Sequence, residues 1–167
     1  MNDAIGQLVA RHRTSGILLD AGILLLYFVG AVDKTLIPTV RRLERHGLFA
    51  DDYDTLCRVL ELFKRHVTTP NALTEVCNLA DDVKGERGRA VLTKMREGLE
   101  LLDERLVPSA EAAGHEAFLT LGLSDAALLT VASEKLLLLT LDFPLAGYCR
   151  KIGGHSLTFD NVRALAW

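Results

Sequence analysis

The sequence predicts an α/β fold, specifically a three-layer α/β/α sandwich around a central, mostly parallel sheet of four to five strands. Two apolar segments carry this prediction, because Ser15–Asp20 and Leu136–Leu141 have the composition of short strands that are buried on both faces. Segments with helical spacing of apolar residues lie between the strands, and this alternation is typical of a parallel sheet covered by helices. We therefore expect a single domain over residues 1–167.

The elements of the first half follow from apolar spacing and from turn residues. Three helices are predicted before the second strand, over Ile23–Ala31, Thr35–His46 and Tyr53–Lys64, with Gly47 between the last two. Val67–Thr69 is predicted as a brief strand. Thr69 suits the N-cap position and Pro70 the first helical position, so the next helix is expected over Pro70–Ala80.

The second half contains one long amphipathic segment and several shorter elements. Apolar residues recur every three or four positions from Glu86 to Leu106, which predicts one helix that ends before Pro108. Ser124 is a good N-cap for a helix over Ala126–Ser133, and Asp125 would lie in its first turn. The other predicted elements are two helices and a last strand, at Glu111–Leu121, Leu145–Lys151 and Ser156–Phe159.

Composition favours an ordinary globular protein. Hydrophobic residues make up 49% of the chain and charged residues 25%, so neither disorder nor a fibrous repeat is indicated. A net charge of −3 argues against a protein that coats nucleic acid through bulk positive charge, although a local basic face could still guide a polyanion.

Cysteine usage and hydropathy point to the cytoplasm. Cys57, Cys77 and Cys149 are widely separated and form no C-x-x-C pair, which favours reduced, buried thiols over disulfides or a zinc site. The apolar segment Gly16–Val32 is interrupted by Asp20, and the remainder is too short to span a bilayer. Nor do the N-terminal residues resemble a signal peptide. We expect a cytoplasmic protein without a membrane partner.

Carboxylates follow both of the strongest strands. Asp20 comes directly after Ile17-Leu18-Leu19, and Asp142 comes directly after Leu138-Leu139-Thr140-Leu141. Parallel strands end at one edge of a sheet, so both side chains should emerge there, partly desolvated. Several such carboxylates would repel one another unless a cation neutralised them, and hard oxygen ligands suit Mg²⁺ or Mn²⁺.

Four acidic motifs follow one another along the chain: Leu18-Leu19-Asp20, Thr69-Pro70 leading to Glu75, Leu123-Ser124-Asp125-Ala126, and Leu139-Thr140-Leu141-Asp142. In type and order, these motifs resemble those of the PIN-domain family, which includes the VapC-like toxin ribonucleases. The resemblance implies a PIN-like fold in which Asp20, Glu75, Asp125 and Asp142 are the catalytic and metal-binding residues. Thr140 matches the hydroxyl residue that often precedes the last aspartate of the family, and we expect Thr140 and Ser124 to support the carboxylates.

The resemblance also implies an activity and partners. It predicts an endoribonuclease in which Mg²⁺ or Mn²⁺ activates water for in-line attack on an RNA phosphodiester. Many members of the family are toxins of toxin–antitoxin pairs, so an antitoxin protein and a homodimer are expected partners. One departure is visible, because the family usually has Thr or Ser and then Asn after its first aspartate, whereas this chain has Ala21-Gly22. This departure puts the orientation of Asp20 and full activity in doubt.

Other interpretations of the same residues remain open. Asp20 could simply cap a helix and Asp142 open a turn, while Asp125 could favour a helix N-terminus and Glu75 lie on a helix surface. At the level of function, the alternatives are a solitary PIN nuclease and a catalytically weak PIN-like module that binds RNA or protein. A phosphoacceptor signalling domain is disfavoured, because Asp20-Ala21 supplies no paired acidic motif.

Basic residues are the candidates for holding substrate phosphates. Lys84, Arg87 and Arg89 are of most interest, because two glycines flank charged donors in that segment. Further basic residues gather at Arg41, Arg42, Arg45, Lys64, Arg65, Lys94 and Arg96, where a solvated helix face is the commoner outcome. The five scattered histidines suggest no metal pair and no catalytic partner.

Overall fold

A five-stranded, entirely parallel sheet forms the centre of the protein. The structure is a computed structural model that describes residues 3–132 and 135–164. The strands are β1 (Ile17–Leu19), β2 (His66–Thr68), β3 (Asp103–Glu104), β4 (Leu137–Thr140) and β5 (His155–Thr158). Their order across the sheet is β3-β2-β1-β4-β5. Helices cover both faces, so the predicted three-layer α/β/α fold is confirmed.

The helices fill the crossover connections. Those before β4 are α1 (Asp3–His12), α2 (Ala21–Val32), α3 (Arg41–Arg45), α4 (Ala50–Leu60), α5 (Pro70–Ala80), α6 (Gly85–Gly98), α7 (Ser109–Ala113), α8 (Phe118–Leu121) and α9 (Leu123–Ala132). The later ones are α10 (Phe143–Lys151) and α11 (Phe159–Arg163), and two 3₁₀ helices span Lys34–Thr39 and Leu99–Leu101. No helix in the described part of the chain combines the length and apolar character needed to cross a lipid bilayer.

Strand order creates a switch point beside β1. The chain passes from β1 to β2 on one side, whereas β4 and β5 lie on the other side, with Leu19 paired to Leu139 and Leu18 to Val67. Every residue of β1 and β4 is buried, as expected for strands covered on both faces. Open parallel sheets bind ligands outside the carboxyl ends of their strands at such a point.

The predicted helix over Thr35–His46 is wrong as a single element. A 3₁₀ helix occupies Lys34–Thr39, and an α-helix begins only at Arg41. Pro38 explains the break, because proline has no N–H to donate and its ring disfavours helical geometry in the preceding residue.

The predicted long helix from Glu86 to Leu106 is also wrong in its second half. Helix α6 ends at Gly98, where an added Cβ would lie 2.7 Å from Cε1 of Phe28. The chain then forms a 3₁₀ turn and β3, in which Asp103 pairs with Val67 of β2. The hydrogen bonds that the sheet edge provides therefore override the helical spacing of the leucines.

Several further boundaries differ from the prediction. The helix expected over Tyr53–Lys64 spans Ala50–Leu60, α10 begins at Phe143 and not at Leu145, and the last strand is His155–Thr158 and not Ser156–Phe159. Helices α7 and α8 replace the single helix expected over Glu111–Leu121, with Gly114 closing the first of them. Helix α9 begins at Leu123, so Ser124 lies inside its first turn and is not the N-cap. The predicted end of that helix, at Ser133, lies outside the described residues. The three cysteines are free, but the expectation that they are buried holds only for Cys149, since Cys57 is half-buried and Cys77 is exposed.

Candidate active site

Three of the helices that begin at the carboxyl edge of the sheet are capped by a side chain one or two residues after the end of a strand. Asp20 caps α2, Thr69 caps α5 and Asp142 caps α10. Asp20 accepts from the N–H of Ile23 at 2.7 Å, and Asp142 accepts from the N–H of Leu145 at 3.1 Å. The capping interpretation of Asp20 is therefore confirmed, whereas Asp142 caps a helix in place of the turn that was its alternative. Each cap uses only one oxygen of the carboxylate.

Asp20 is the most deeply buried carboxylate of the edge, with an exposed fraction of 4%. Its Oδ2 accepts hydrogen bonds from the Thr140 hydroxyl and from the Leu141 N–H at 3.2 Å. Burial raises the pKa of Asp20 to about 6, because desolvation outweighs the hydrogen bonds from Thr140, Ile23 and Leu141 and the charge of Arg42. The side chain is thus held in one orientation while its charged form remains disfavoured.

Thr140 connects the first and last aspartates. Its hydroxyl donates to Asp20 and accepts from the Asp142 N–H at 2.8 Å. This link is possible because β1 and β4 are neighbours, so the residues after Leu19 and Leu139 emerge side by side. The geometry agrees with the predicted supporting role of Thr140, because its one hydroxyl orients the side chain of Asp20 and the backbone of Asp142.

Asp125 lies in the first turn of α9, and its carboxylate has an unusual electrostatic environment. Its pKa is raised to about 7, first by burial and then by the negative charges of Asp20, Glu75 and Asp142. Arg42 partly offsets the increase. Helix N-termini normally stabilise a carboxylate, so a local preference for the N-terminus does not explain this residue.

Glu75 approaches the same region from α5. It lies at the wall of a cavity of about 290 Å³ between α5 and α9, together with Asn71, Asn78 and Ser124. The Oγ of Ser124 is buried and finds no hydrogen-bond partner among the described residues. Glu75 is therefore half-buried at the wall of an open surface pocket. The expected support of Asp125 by a Ser124 cap is not present.

These four residues, Asp20, Glu75, Asp125 and Asp142, are called the acidic cluster below. They come from the ends of β1 and β4 and from α5 and α9, and the other three all act on the charge of Asp125. Asp125, whose ionisation the three neighbouring carboxylates disfavour, thus belongs to a donor set suited to a hard divalent cation. Among residues 3–132 and 135–164, however, no three acidic, histidine or cysteine side chains already converge on one ion position. The donor chemistry fits Mg²⁺ or Mn²⁺, and side chains would have to move inward to enclose it.

The Ala21-Gly22 departure has a local explanation. A Cβ on residue 22 would lie 2.9 Å from Cδ1 of Leu141, so any larger residue would have to displace that side chain at the contact between α2 and the end of β4. Ala21 is itself buried in the core. The donors that orient Asp20 come instead from Thr140, Leu141 and Ile23. The carboxylate is therefore oriented without the hydroxyl and amide that the family usually places there.

The positive charge near the acidic cluster comes from Arg42, which was expected, together with other basic residues, on a solvated helix face. Arg42 lowers the pKa of both Asp20 and Asp125. His46, at the end of α3, has its own pKa lowered by burial and by Arg42, and Asp142 partly opposes this. Neither Arg42 nor His46 belongs to a sequence motif, so their proximity to the acidic cluster is visible only in the folded structure.

The basic residues of the predicted phosphate-binding segment lie elsewhere. Lys84, Arg87 and Arg89 are exposed, and the described residues show no hydrogen bond or ion pair between them and the acidic cluster. Arg87 instead acts on Asp33 beyond the end of α2, where it helps to lower the pKa of that carboxyl. Their role in binding substrate stays a prediction.

Comparison with protein-family models gives no match, and comparison with curated protein sequences gives no significant similarity. The functional argument therefore depends on the fold and on the geometry of the acidic cluster.

Proposed function

We propose that this protein is a divalent-metal-dependent endoribonuclease that hydrolyses RNA phosphodiester bonds. The observation that carries the proposal is the environment of Asp125 near the carboxyl edge of a parallel sheet, where burial and then the charges of Asp20, Glu75 and Asp142 raise its pKa to about 7. Bringing partly buried carboxylates together costs free energy in the absence of a cation, so a purely structural role gives no reason for it. The resemblance of the four motifs to PIN nucleases supports the same assignment.

Asp20, Glu75, Asp125 and Asp142 would together hold Mg²⁺ or Mn²⁺. When bound, such an ion supplies an activated water and stabilises negative charge on the attacking and leaving oxygens of a phosphodiester. Thr140 would hold Asp20 and Asp142 at fixed positions relative to each other during the reaction, since its hydroxyl contacts the Asp20 side chain and the Asp142 N–H. Protonated Asp125 would lose its proton to bind the ion, so we expect metal binding to release protons near neutral pH.

The test uses Asp20→Asn and Asp142→Asn. Asparagine is a good N-cap, so both variants can keep the hydrogen bonds that begin α2 and α10 while losing the negative charge. Purified proteins are incubated with labelled single-stranded RNA in Mg²⁺, in Mn²⁺ and in chelator. We expect the wild-type protein to cleave only with metal, and each variant to lose cleavage by about 100-fold or more.

Asp51→Asn is the matched control, because Asp51 is an exposed aspartate in the first turn of α4. It should cleave as the wild-type protein does. Circular dichroism establishes that all variants are folded. Undiminished cleavage by folded Asp20→Asn or Asp142→Asn would show that the acidic cluster is not the active site.

A PIN-like module that binds RNA or protein without cutting is the second candidate. One observation favours it, namely that no three ligands of the described residues are already positioned around one ion. Under this alternative, the wild-type protein binds labelled RNA in fluorescence anisotropy but yields no fragments in any metal. Cleavage that chelator abolishes would exclude it.

We further propose that the protein is the toxin of a toxin–antitoxin pair, as the family resemblance implies. Induced expression of the wild-type chain should then arrest growth, Asp20→Asn should not, and a small protein encoded beside it should relieve the arrest. Sequencing of RNA ends from both cultures would identify the target. Absence of arrest with retained cleavage in vitro would favour a solitary nuclease. The expected homodimer is tested by the mass in solution, measured by light scattering.

A further inference from the structure

Arg42 lies on the short helix α3, which packs against α2, the helix that Asp20 caps. Its Nε is buried and has no hydrogen-bond partner among the described residues. Burying a guanidinium N–H without an acceptor is costly, so something else must favour this position. The nearby negative charges provide that compensation.

The charge of Arg42 reaches two members of the acidic cluster, Asp20 and Asp125, which come from different parts of the chain. It nevertheless forms no ion pair with any carboxylate in the described part of the protein. The adjacent Arg41 behaves differently, because its guanidinium lies 3.6 Å from Asp82 and its side chain is 70% exposed. Two consecutive arginines thus have distinct roles, one in a surface ion pair and one beside the acidic cluster.

An unpaired guanidinium beside several carboxylates suits the recognition of an anion. RNA approaching the acidic cluster brings phosphates that the carboxylates repel, and an arginine at the rim counteracts that repulsion. The guanidinium also offers several N–H donors in one plane, a geometry that fits two oxygens of a phosphate. A direct pair with Asp20 or Asp125 would have used up these donors.

We propose that Arg42 binds a phosphate group of the RNA strand that lies over the acidic cluster, and so positions the strand for cleavage. This inference rests on the proposed nuclease function for the identity of the ligand. It assigns Arg42 to the substrate and not to the cation, since a positive side chain beside the carboxylates opposes metal binding. Removal of the charge should therefore affect RNA and metal in different directions.

The experiment compares Arg42→Gln with Arg41→Gln, which makes the same change of charge on the same helix. Both are placed in an Asp142→Asn background to prevent cleavage, and affinity for labelled single-stranded RNA is measured by fluorescence anisotropy in Mg²⁺. We expect Arg42→Gln to weaken RNA binding about 10- to 100-fold and Arg41→Gln to weaken it far less. Arg42→Lys should recover part of the loss, because it restores the charge but not the planar donors.

Metal binding provides the second readout. Affinity for Mn²⁺ alone is measured by calorimetry in the otherwise wild-type protein, where Arg42→Gln should bind at least as tightly as the unchanged chain. Weaker Mn²⁺ binding would show that Arg42 holds the carboxylates in place and would overturn the inference. Equal RNA affinities for Arg42→Gln and Arg41→Gln would overturn it as well.

The outcomes separate this inference from the proposed function. If the wild-type protein cleaves RNA but Arg42→Gln binds it normally, only the role of Arg42 is wrong. If the wild-type protein binds RNA through Arg42 without cleaving it in any metal, the nuclease function is wrong and the role of Arg42 stands. A wild-type protein that neither binds nor cleaves RNA would contradict both.

Discussion

At the scale of single residues, Thr140 determines how two of the four carboxylates are presented. The hydroxyl donates to Asp20 and accepts from the backbone of Asp142, and the residue is fully buried. Thr140→Val keeps the shape of the side chain but removes both hydrogen bonds. The Asp142 N–H would then lose its acceptor and the Asp20 carboxylate would lose one donor. We expect this loss to lower the free energy of unfolding by about 1–3 kcal/mol.

We expect Thr140→Val to lower cleavage by about 10- to 100-fold, because a residue that orients metal ligands affects metal affinity and activity. Thermal unfolding and RNA cleavage are the measurements. Thr140→Ser should retain most of both. The control is Thr158→Val, since Thr158 is the buried cross-strand neighbour of Thr140 and its hydroxyl contacts Asn161. Similar losses of cleavage in Thr140→Val and Thr158→Val would contradict a specific role for Thr140.

At the scale of elements, α2 carries the close packing behind the acidic cluster. Most of its residues are buried, and it packs against α4, α5 and α6. Gly30 lets α4 approach, because a Cβ there would lie 2.2 Å from Cδ2 and 3.0 Å from Cβ of Tyr53. The second distance involves an atom fixed to the backbone of α4, so rotation of the tyrosine ring alone cannot relieve the contact.

Gly30→Ala should therefore destabilise the protein by about 1–3 kcal/mol, the range for overpacking a core. For a chain of this size, each kcal/mol corresponds to about 2–4 °C in Tm. Gly147→Ala in α10 is the matched control, since no atom lies within 4 Å of its added Cβ. It should stabilise the protein by about 0.5–1 kcal/mol through helix propensity. Equal thermal shifts for the two variants would refute the packing argument.

At the scale of the whole molecule, the parallel sheet separates two kinds of ionisable group. Carboxylates gather at its carboxyl edge, whereas His12, at the end of α1, meets His155, the first residue of β5, with His12 Nε2 2.7 Å from His155 Nδ1. His12 Nδ1 lies 2.8 Å from the carbonyl oxygen of Lys135, which can only accept, so this nitrogen carries the proton. His12 Nε2 must then accept from His155 in the neutral pair.

The histidine pair predicts a specific pH dependence. Burial is the main cause that lowers the pKa of His12, and the nearby His155 and Arg11 lower it further. The unfolded chain therefore takes up a proton more readily, and the stability from His12 is lost as pH falls below about 6.5. The raised pKa values of Asp20 and Asp125 act in the opposite sense, because protonation relieves their burial.

His12→Gln isolates the histidine contribution to this balance. The variant should lose less Tm than the wild-type protein between pH 7.5 and pH 5.5, even if it is less stable at both values. Thermal unfolding in chelator, with both proteins in the same buffers, measures the difference. Parallel pH profiles would show that His12 does not contribute.

Local chemistry explains why part of the candidate site was predictable. An apolar run followed by Asp20 or Asp142 encodes a buried strand, a turn and a helix cap within a few residues, and the structure has all three. The helix over Pro70–Ala80 was predicted to the residue for the same reason, because Thr69 and Pro70 define its start. The prediction failed where a contact between residues distant in sequence outweighed the local pattern. The residues of β3 lie in a segment with helical spacing of apolar residues, but they pair with β2 instead.

The α/β class, the strand ends and the aspartates that follow the strands could be predicted from the sequence, because these features depend on side chains that are neighbours along the chain. Three features follow only from the folded structure: Asp20 and Glu75 both lie near Asp125, Thr140 links the ends of two strands, and the Nε of Arg42 is buried. Electrostatic coupling depends on distance in space, and helix packing sets that distance.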